Sequence, residues 1–274
     1  MQNKIGVMQG RLLPKFLGRY QAHPVGYWRD EFKVASELGL DCIEFILDFN
    51  DAELNPLLKD SGIEEINKIT QSSGVEVFSV CADYFMEMPL HSKHIKNAEL
   101  SQKILINLLN NVSKLRVSNV VIPCVDKSSL HNLNDTNKFI QNLMPVIDLA
   151  EKFCINLSLE TDLDPQAFFD LLRHFDSDRI TVNYDIGNSA ALGYNVIDEL
   201  NAYGSSITDI HIKDRILGSG PVELGKGNAD FTIFFNKLKE FDYKGPLIMQ
   251  AFRDDEGLKI FKKQLDWIKP YLNE

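Results

Sequence analysis

Eight times over, the sequence alternates between a short apolar run of strand length and a longer stretch with apolar residues every three or four positions. The pattern predicts strands over 3–9 (NKIGVMQ), 41–47 (DCIEFIL), 75–81 (VEVFSVC) and 118–124 (SNVVIPC). It predicts four more over 154–160 (CINLSLE), 179–185 (RITVNYD), 206–213 (SITDIHIK) and 246–252 (PLIMQAF). A helical pattern such as NAELSQKILINLLNNVSKLR follows each. Strand–helix alternation implies parallel strands joined by crossover helices. An open doubly wound sheet would carry a Gly-rich phosphate loop after its first strand. Here that place holds GRLLPKFLGRY, with no GxGxxG and no immediate helix. Eight units in 274 residues, with no Pro/Ser/Gly-rich linker, therefore predict one domain, 1–274, folded as a (β/α)₈ TIM barrel.

Bulk properties narrow the function classes. A net charge of −10 argues against nucleic acid as a partner, because phosphate neutralisation needs clustered Lys and Arg. No apolar run reaches the ~18–20 residues of a membrane span, and MQNKIGVMQG has no long apolar signal core. Cys42, Cys81, Cys124 and Cys154 lie far apart without CxxC spacing, which suits reduced thiols in a cytoplasmic protein.

In a closed parallel barrel the chemistry sits at the C-terminal ends of the strands. Four consecutive predicted strands end in Glu160, Asp185, His211 and Gln250. Any one of them alone reads equally well as a rim residue with satisfied hydrogen bonds. Together, two carboxylates, an imidazole and an amide oxygen suit a divalent cation, Mn²⁺, Mg²⁺, Zn²⁺ or Co²⁺.

The segments ELGLDCIEF, SLETD, VNYDIGNSAALG and HIKDRILGSGPVELGKGNADF resemble the xylose isomerase-like TIM barrels of the sugar phosphate isomerase/epimerase superfamily. IEFILDFNDAELNPL, VFSVCADYFMEMPLHS and DIGNSAALG are most similar to its hexulose-6-phosphate isomerase and pentulose-5-phosphate 3-epimerase group. The resemblance implies a metal held by Glu160, Asp185, His211 and position 250, and a sugar or sugar phosphate isomerised or epimerised through an enediolate. It also admits a homo-oligomer. Gln250 departs from the pattern, which has a second Glu there. An amide can coordinate through its carbonyl oxygen but moves no proton, so Glu160 is left as the expected base and divalent affinity should be lower. Metal-dependent dehydratase or lyase chemistry on the same barrel, or a sugar-binding relative without catalysis, are the alternatives. An abasic-site endonuclease, which would need three zinc ions and many His ligands, ranks last.

Around this set, Glu44 occupies a position that faces the pocket in relatives, and Asn188 one where many relatives carry His. Lys213 and Arg215 are expected at the substrate, or within a solvated charge run with Asp214. Arg11, in the long basic loop after the first strand, is expected at a substrate phosphate or carboxylate, and Tyr20 over the mouth. Cys81 and Asp83 are candidates for the mouth lining. The acids Asp254, Asp255 and Glu256 fit the opening of the last helix better than a replacement base. GSGPVELGKGNADF reads as a Gly-rich loop whose amides could hold an anion, or as a plain connection.

Overall fold

The computed structural model describes residues 3–272; residues 1, 2, 273 and 274 of the expected 1–274 domain lie outside that range. Eight parallel strands close into a barrel surrounded by helices. They are β1 (Ile5–Met8), β2 (Cys42–Ile46), β3 (Glu76–Cys81), β4 (Asn119–Cys124), β5 (Asn156–Thr161), β6 (Ile180–Asp185), β7 (Ile207–Ile212) and, after a small hairpin, β10 (Leu247–Met249). The hairpin pairs β8 (Asp214–Arg215) with β9 (Pro221–Val222). Closure runs through β1, which pairs with β2 on one side and β10 on the other. Each strand lies within its predicted run except β5, which extends one residue beyond it to Thr161.

The last strand stops three residues short of its predicted run, at Met249, so Gln250 lies just beyond its end, and a second boundary correction falls at the start of the fifth unit. Cys154 does not open β5; it ends the helix Leu133–Phe153 in the left-handed region (φ 55°), its N–H donating to Ala150 O and Glu151 O. The last helical carbonyls need donors, and Cys154 supplies one before the chain can extend. Cys154 is exposed, while Cys42, Cys81 and Cys124 are buried; all four are free thiols.

Burial sorts the side chains into two apolar groups. The larger lies between strands and helices. The smaller, Met8, Cys42, Ile46, Cys81, Val121 and Ile248, lies apart from it, on the faces the strands turn away from the helices. Polar residues share these strands: Ser158, Thr181 and Thr208 bond one another through their hydroxyls at 2.7–3.0 Å. Among the described residues no helix is long and apolar enough to cross a membrane.

The long loop after β1 is pinned at several points. The Glu31 carboxylate accepts from Gly10 N (2.7 Å) and Leu12 N (3.0 Å), while Arg253 donates to Gly10 O (2.6 Å) and Leu13 O (2.7 Å). His23 packs its ring on Phe45 and bonds Gln9 Oε1 through Nδ1 at 2.9 Å. Burial of this ring, despite the charge of Asp48, lowers its pKa to about 4. A folded-state value below the unfolded one means the unfolded chain binds more protons between the two, so stability is lost as the pH is lowered through that window. The stability difference between wild type and His23→Gln should shrink by about 3 kcal/mol as pH drops from about 6.5 to 4. Urea unfolding of both proteins across that range checks it, and a pH-independent difference would contradict the buried neutral ring.

Candidate metal centre

β6 and β7 are in register at Asp185 and His211, and β10 sets Ile248 beside His211. Glu160 reaches the same region from β5. One potential ligand atom each of Glu160, Asp185 and His211 lies within 4.8 Å of the others. Metal–ligand bonds of ~2.0–2.3 Å put neighbouring ligands of one ion ~3–4 Å apart, so small side-chain movements would bring the three onto a common ion. All three side chains are buried.

Each of these three side chains is held in place by hydrogen-bond partners. Asp185 Oδ1 accepts from Asn188 N at 2.8 Å, capping the helix Ile186–Leu192, and its other oxygen faces Lys213 Nζ (3.0 Å) and His211 Nδ1 (3.8 Å). Glu160 Oε1 accepts from Asn188 Nδ2 at 2.7 Å. His211 Nε2 sits 2.7 Å from Glu44 Oε1, and Glu44 Oε2 accepts from Ser79 Oγ at 2.6 Å. That bond assigns the Nε2 proton to the Glu44 side and aims Nδ1, which has no hydrogen-bond partner, at the carboxylates. Gln250 Oε1 is likewise buried without a partner, while its Nε2 donates to Gln21 Oε1 at 3.3 Å. An unpartnered buried Nδ1 of His211 beside two carboxylates, and an unpartnered Gln250 Oε1 in the same cavity lining as Glu160, are what a cation would satisfy, so these residues fit one.

The charges act on one another. Burial raises the Glu160 pKa to about 7, with Asp185 adding to the rise and His211 and Lys213 opposing it. Burial would raise Asp185 as well, but Lys213 and His211 outweigh it and hold that carboxyl well below the usual range. Burial disfavours charge on His211, yet Glu44 and Asp185 push its pKa well above an ordinary imidazole.

Glu160 and Gln250 open onto a cavity of about 380 Å³ at the C-terminal ends of the strands, lined also by Tyr20, Asp83, Asn188, Lys213 and Arg215. Asn188 ties the mouth together: its Oδ1 accepts from Lys213 Nζ (3.2 Å) and Arg215 Nη1 (2.8 Å). Lys213 has room because position 187 is glycine; a Cβ there would lie 2.7 Å from Lys213 Cγ. Tyr20 presents a buried hydroxyl with no partner.

Other expected contacts fall elsewhere. Glu44 is not in the cavity lining; it lies fully buried beneath His211, which it orients. Arg11 is also absent from the lining: its buried guanidinium is consumed by Ala251 O (3.1 Å), Tyr20 O (3.2 Å) and Gln21 Oε1 (2.8 Å). Asp214 is no solvated charge. Its buried carboxylate accepts from Gly225 N, Gly227 N and Ala229 N at 2.8–3.1 Å, so the anion held by the Gly-rich loop is the chain's own. Asp254 forms a turn with Glu256 N and Gly257 N, and Asp255 pairs with Lys15. Gln21 gave no signal in the sequence; only folding brings it between Arg11, Asp83 and Gln250.

Residues 32–271 match the family model described as xylose isomerase-like TIM barrel. The chain belongs to that family. Among curated members of known name, L-ribulose-5-phosphate 3-epimerase of Escherichia coli O1:K1 / APEC is 25% identical over 267 residues, covering 92% of this chain and 93% of that one. The solved D-psicose 3-epimerase of Clostridium cellulolyticum H10, with D-tagatose, superposes with a TM-score of 0.77 at 16% identity, covering 98% of this chain and 99% of that one. The IOLI protein with a binding zinc atom gives 0.77 at 16% identity, covering 98% of each chain. At such identities the structural likeness supports the barrel of this xylose isomerase-like chain and nothing finer.

Neutralising Glu44 would leave His211 free to turn. Glu44→Gln should weaken Mn²⁺ binding by about 10- to 100-fold while the protein stays folded. Equilibrium dialysis against Mn²⁺, with circular dichroism as the folding control, checks it; unchanged affinity would show that Glu44 does not orient the ligand.

Proposed function

We propose that this chain is a divalent-cation-dependent isomerase or epimerase of a small hydroxy-ketone sugar or sugar phosphate, with Glu160, Asp185, His211 and Gln250 as the ligands. The supporting observation is the convergence of two carboxylates with His211, whose Nδ1 has no partner, while Gln250 Oε1, also without a partner, lines the same cavity as Glu160. The names of the curated relatives point the same way. A cation bound there supplies Lewis-acid stabilisation of the enediolate oxygens.

The remaining work falls to side chains. Glu160 lines the cavity and is placed to accept a proton from the substrate and return it. The Asn188 Nδ2 bond fixes the orientation of its carboxylate. Asp185, held ionised by Lys213 and His211, acts as a ligand and not as a base. Lys213 and Arg215, beside Asn188, line the same cavity and are placed to meet substrate oxygens. Four free thiols suit a reducing compartment, in keeping with a cytoplasmic enzyme.

In D₂O with Mn²⁺, the chain should introduce deuterium next to the carbonyl of L-ribulose 5-phosphate or D-tagatose. Glu160→Gln should slow that exchange by about 10²–10⁴-fold. Proton NMR of the recovered sugar checks it. Loss of water from the sugar would point to a dehydratase instead, and thermal stabilisation by the sugar without exchange would point to a binding protein.

A further inference from the structure

Resting on that reading, inversion at a carbon poses a problem that the ligand set does not solve. The proton must leave from one face and return on the other, and the amide of Gln250 can do neither. Four carboxylates other than Glu160 line the cavity: Asp48, Asp83, Glu87 and Asp126. Asp48 is already paired, 2.7 Å from an Arg19 guanidinium nitrogen and accepting from Asn50 N at 3.0 Å. Glu87 and Asp126 are exposed, and Glu87 is paired with Lys127 at 2.8 Å.

Asp83 differs from all three. Its hydrogen-bond partners among the described residues are neutral: Gln21 Nε2 donates to Oδ2 (2.7 Å) and Cys81 Sγ to Oδ1 (3.2 Å). Arg11 fixes the donor by holding Gln21 Oε1, so the Gln21 amide must turn its N–H₂ towards Asp83. Burial raises the Asp83 pKa; the bonds from Gln21 and Cys81 work against that, and the charges of Asp48 and Glu44 add to it. Asp83 and Glu160 line the same cavity. Glu160 ends β5 and Asp83 follows β3, with β4 between them. Two inter-strand spacings set their backbones ~9.6 Å apart.

We infer that Asp83 is the second acid/base of the site, working from the side of the substrate away from Glu160. Ionised Glu160 takes the proton from the carbon next to the carbonyl, and the C–H electron pair becomes the enediolate double bond. Protonated Asp83 then gives its proton to the other face of that carbon; the double-bond pair forms the new C–H bond and the carbonyl returns. Glu160 ends protonated and Asp83 ionised, and exchange with water resets both. The reverse reaction swaps the roles.

The test is Asp83→Asn in the Mn²⁺-loaded full chain, with L-ribulose 5-phosphate and D-tagatose in D₂O. Wild type should show both deuterium wash-in and epimer. The variant should keep wash-in within about 5-fold, since Glu160 can return a proton to the face it came from, and lose inversion by about 100-fold or more. Metal content and melting temperature should match wild type. Asp83→Ser serves if the asparagine variant does not fold. Inversion retained, or wash-in and inversion lost in parallel, overturns the assignment. Wash-in without inversion in wild type overturns it too. No wash-in at all in wild type removes the isomerase reading itself, and this assignment with it.

Discussion

The centre depends on a histidine held between two buried carboxylates. His211 has no exposed surface, and neither does the Glu44 side chain behind it. An imidazole free to rotate could present either nitrogen, and only one setting makes a ligand. The Glu44 bond at Nε2 chooses that setting from across the barrel, since β2 and β7 are separated by β1 and β10. Barrel closure therefore does chemical work: it carries an orienting group from the first half of the chain to a ligand in the second. Such outer carboxylates fix the tautomer and raise ligand basicity.

The loops around the mouth follow the same logic of internal satisfaction. Glu31 and Arg253 take up backbone groups of the loop after β1, Arg11 clamps Tyr20 and Gln21, and Asp214 collects three amides of the loop before the helix Phe231–Leu238. Buried backbone groups without partners cost about 1–3 kcal/mol each, so these side chains give the loops one conformation. Position 227 is bound into this arrangement, because a Cβ there would lie 2.2 Å from Asp214 Oδ1. Cavity-lining Tyr20, Gln21 and Pro221 are carried on segments fixed in this way.

The barrel was legible because apolar periodicity is local: strand and helix patterns can be read a few residues at a time. The rule that chemistry lies at strand ends then selected Glu160, Asp185, His211 and Gln250, and the first three have atoms within 4.8 Å of one another. What could not be read was direction. Arg11 and Glu44 sit in segments that approach the mouth, but whether such a residue turns to the substrate or into the fold depends on partners 167 to 240 positions away. Asp214 looked like part of a charged surface run because the three amides that bury it become neighbours only after the loop folds back. Asp83 was visible as a residue near the mouth; its neutral surroundings were not, since Gln21 has no signature of its own.

The central claim is that these strand ends hold one divalent ion. Its most direct test is metal content per chain by elemental mass spectrometry, after equilibration with micromolar Mn²⁺ and rapid desalting. Asp185→Asn is the informative comparison, because asparagine still caps the helix that Asp185 caps. The account predicts about one ion per wild-type chain and none in the variant. No retained ion in wild type, or equal retention in both, would contradict it.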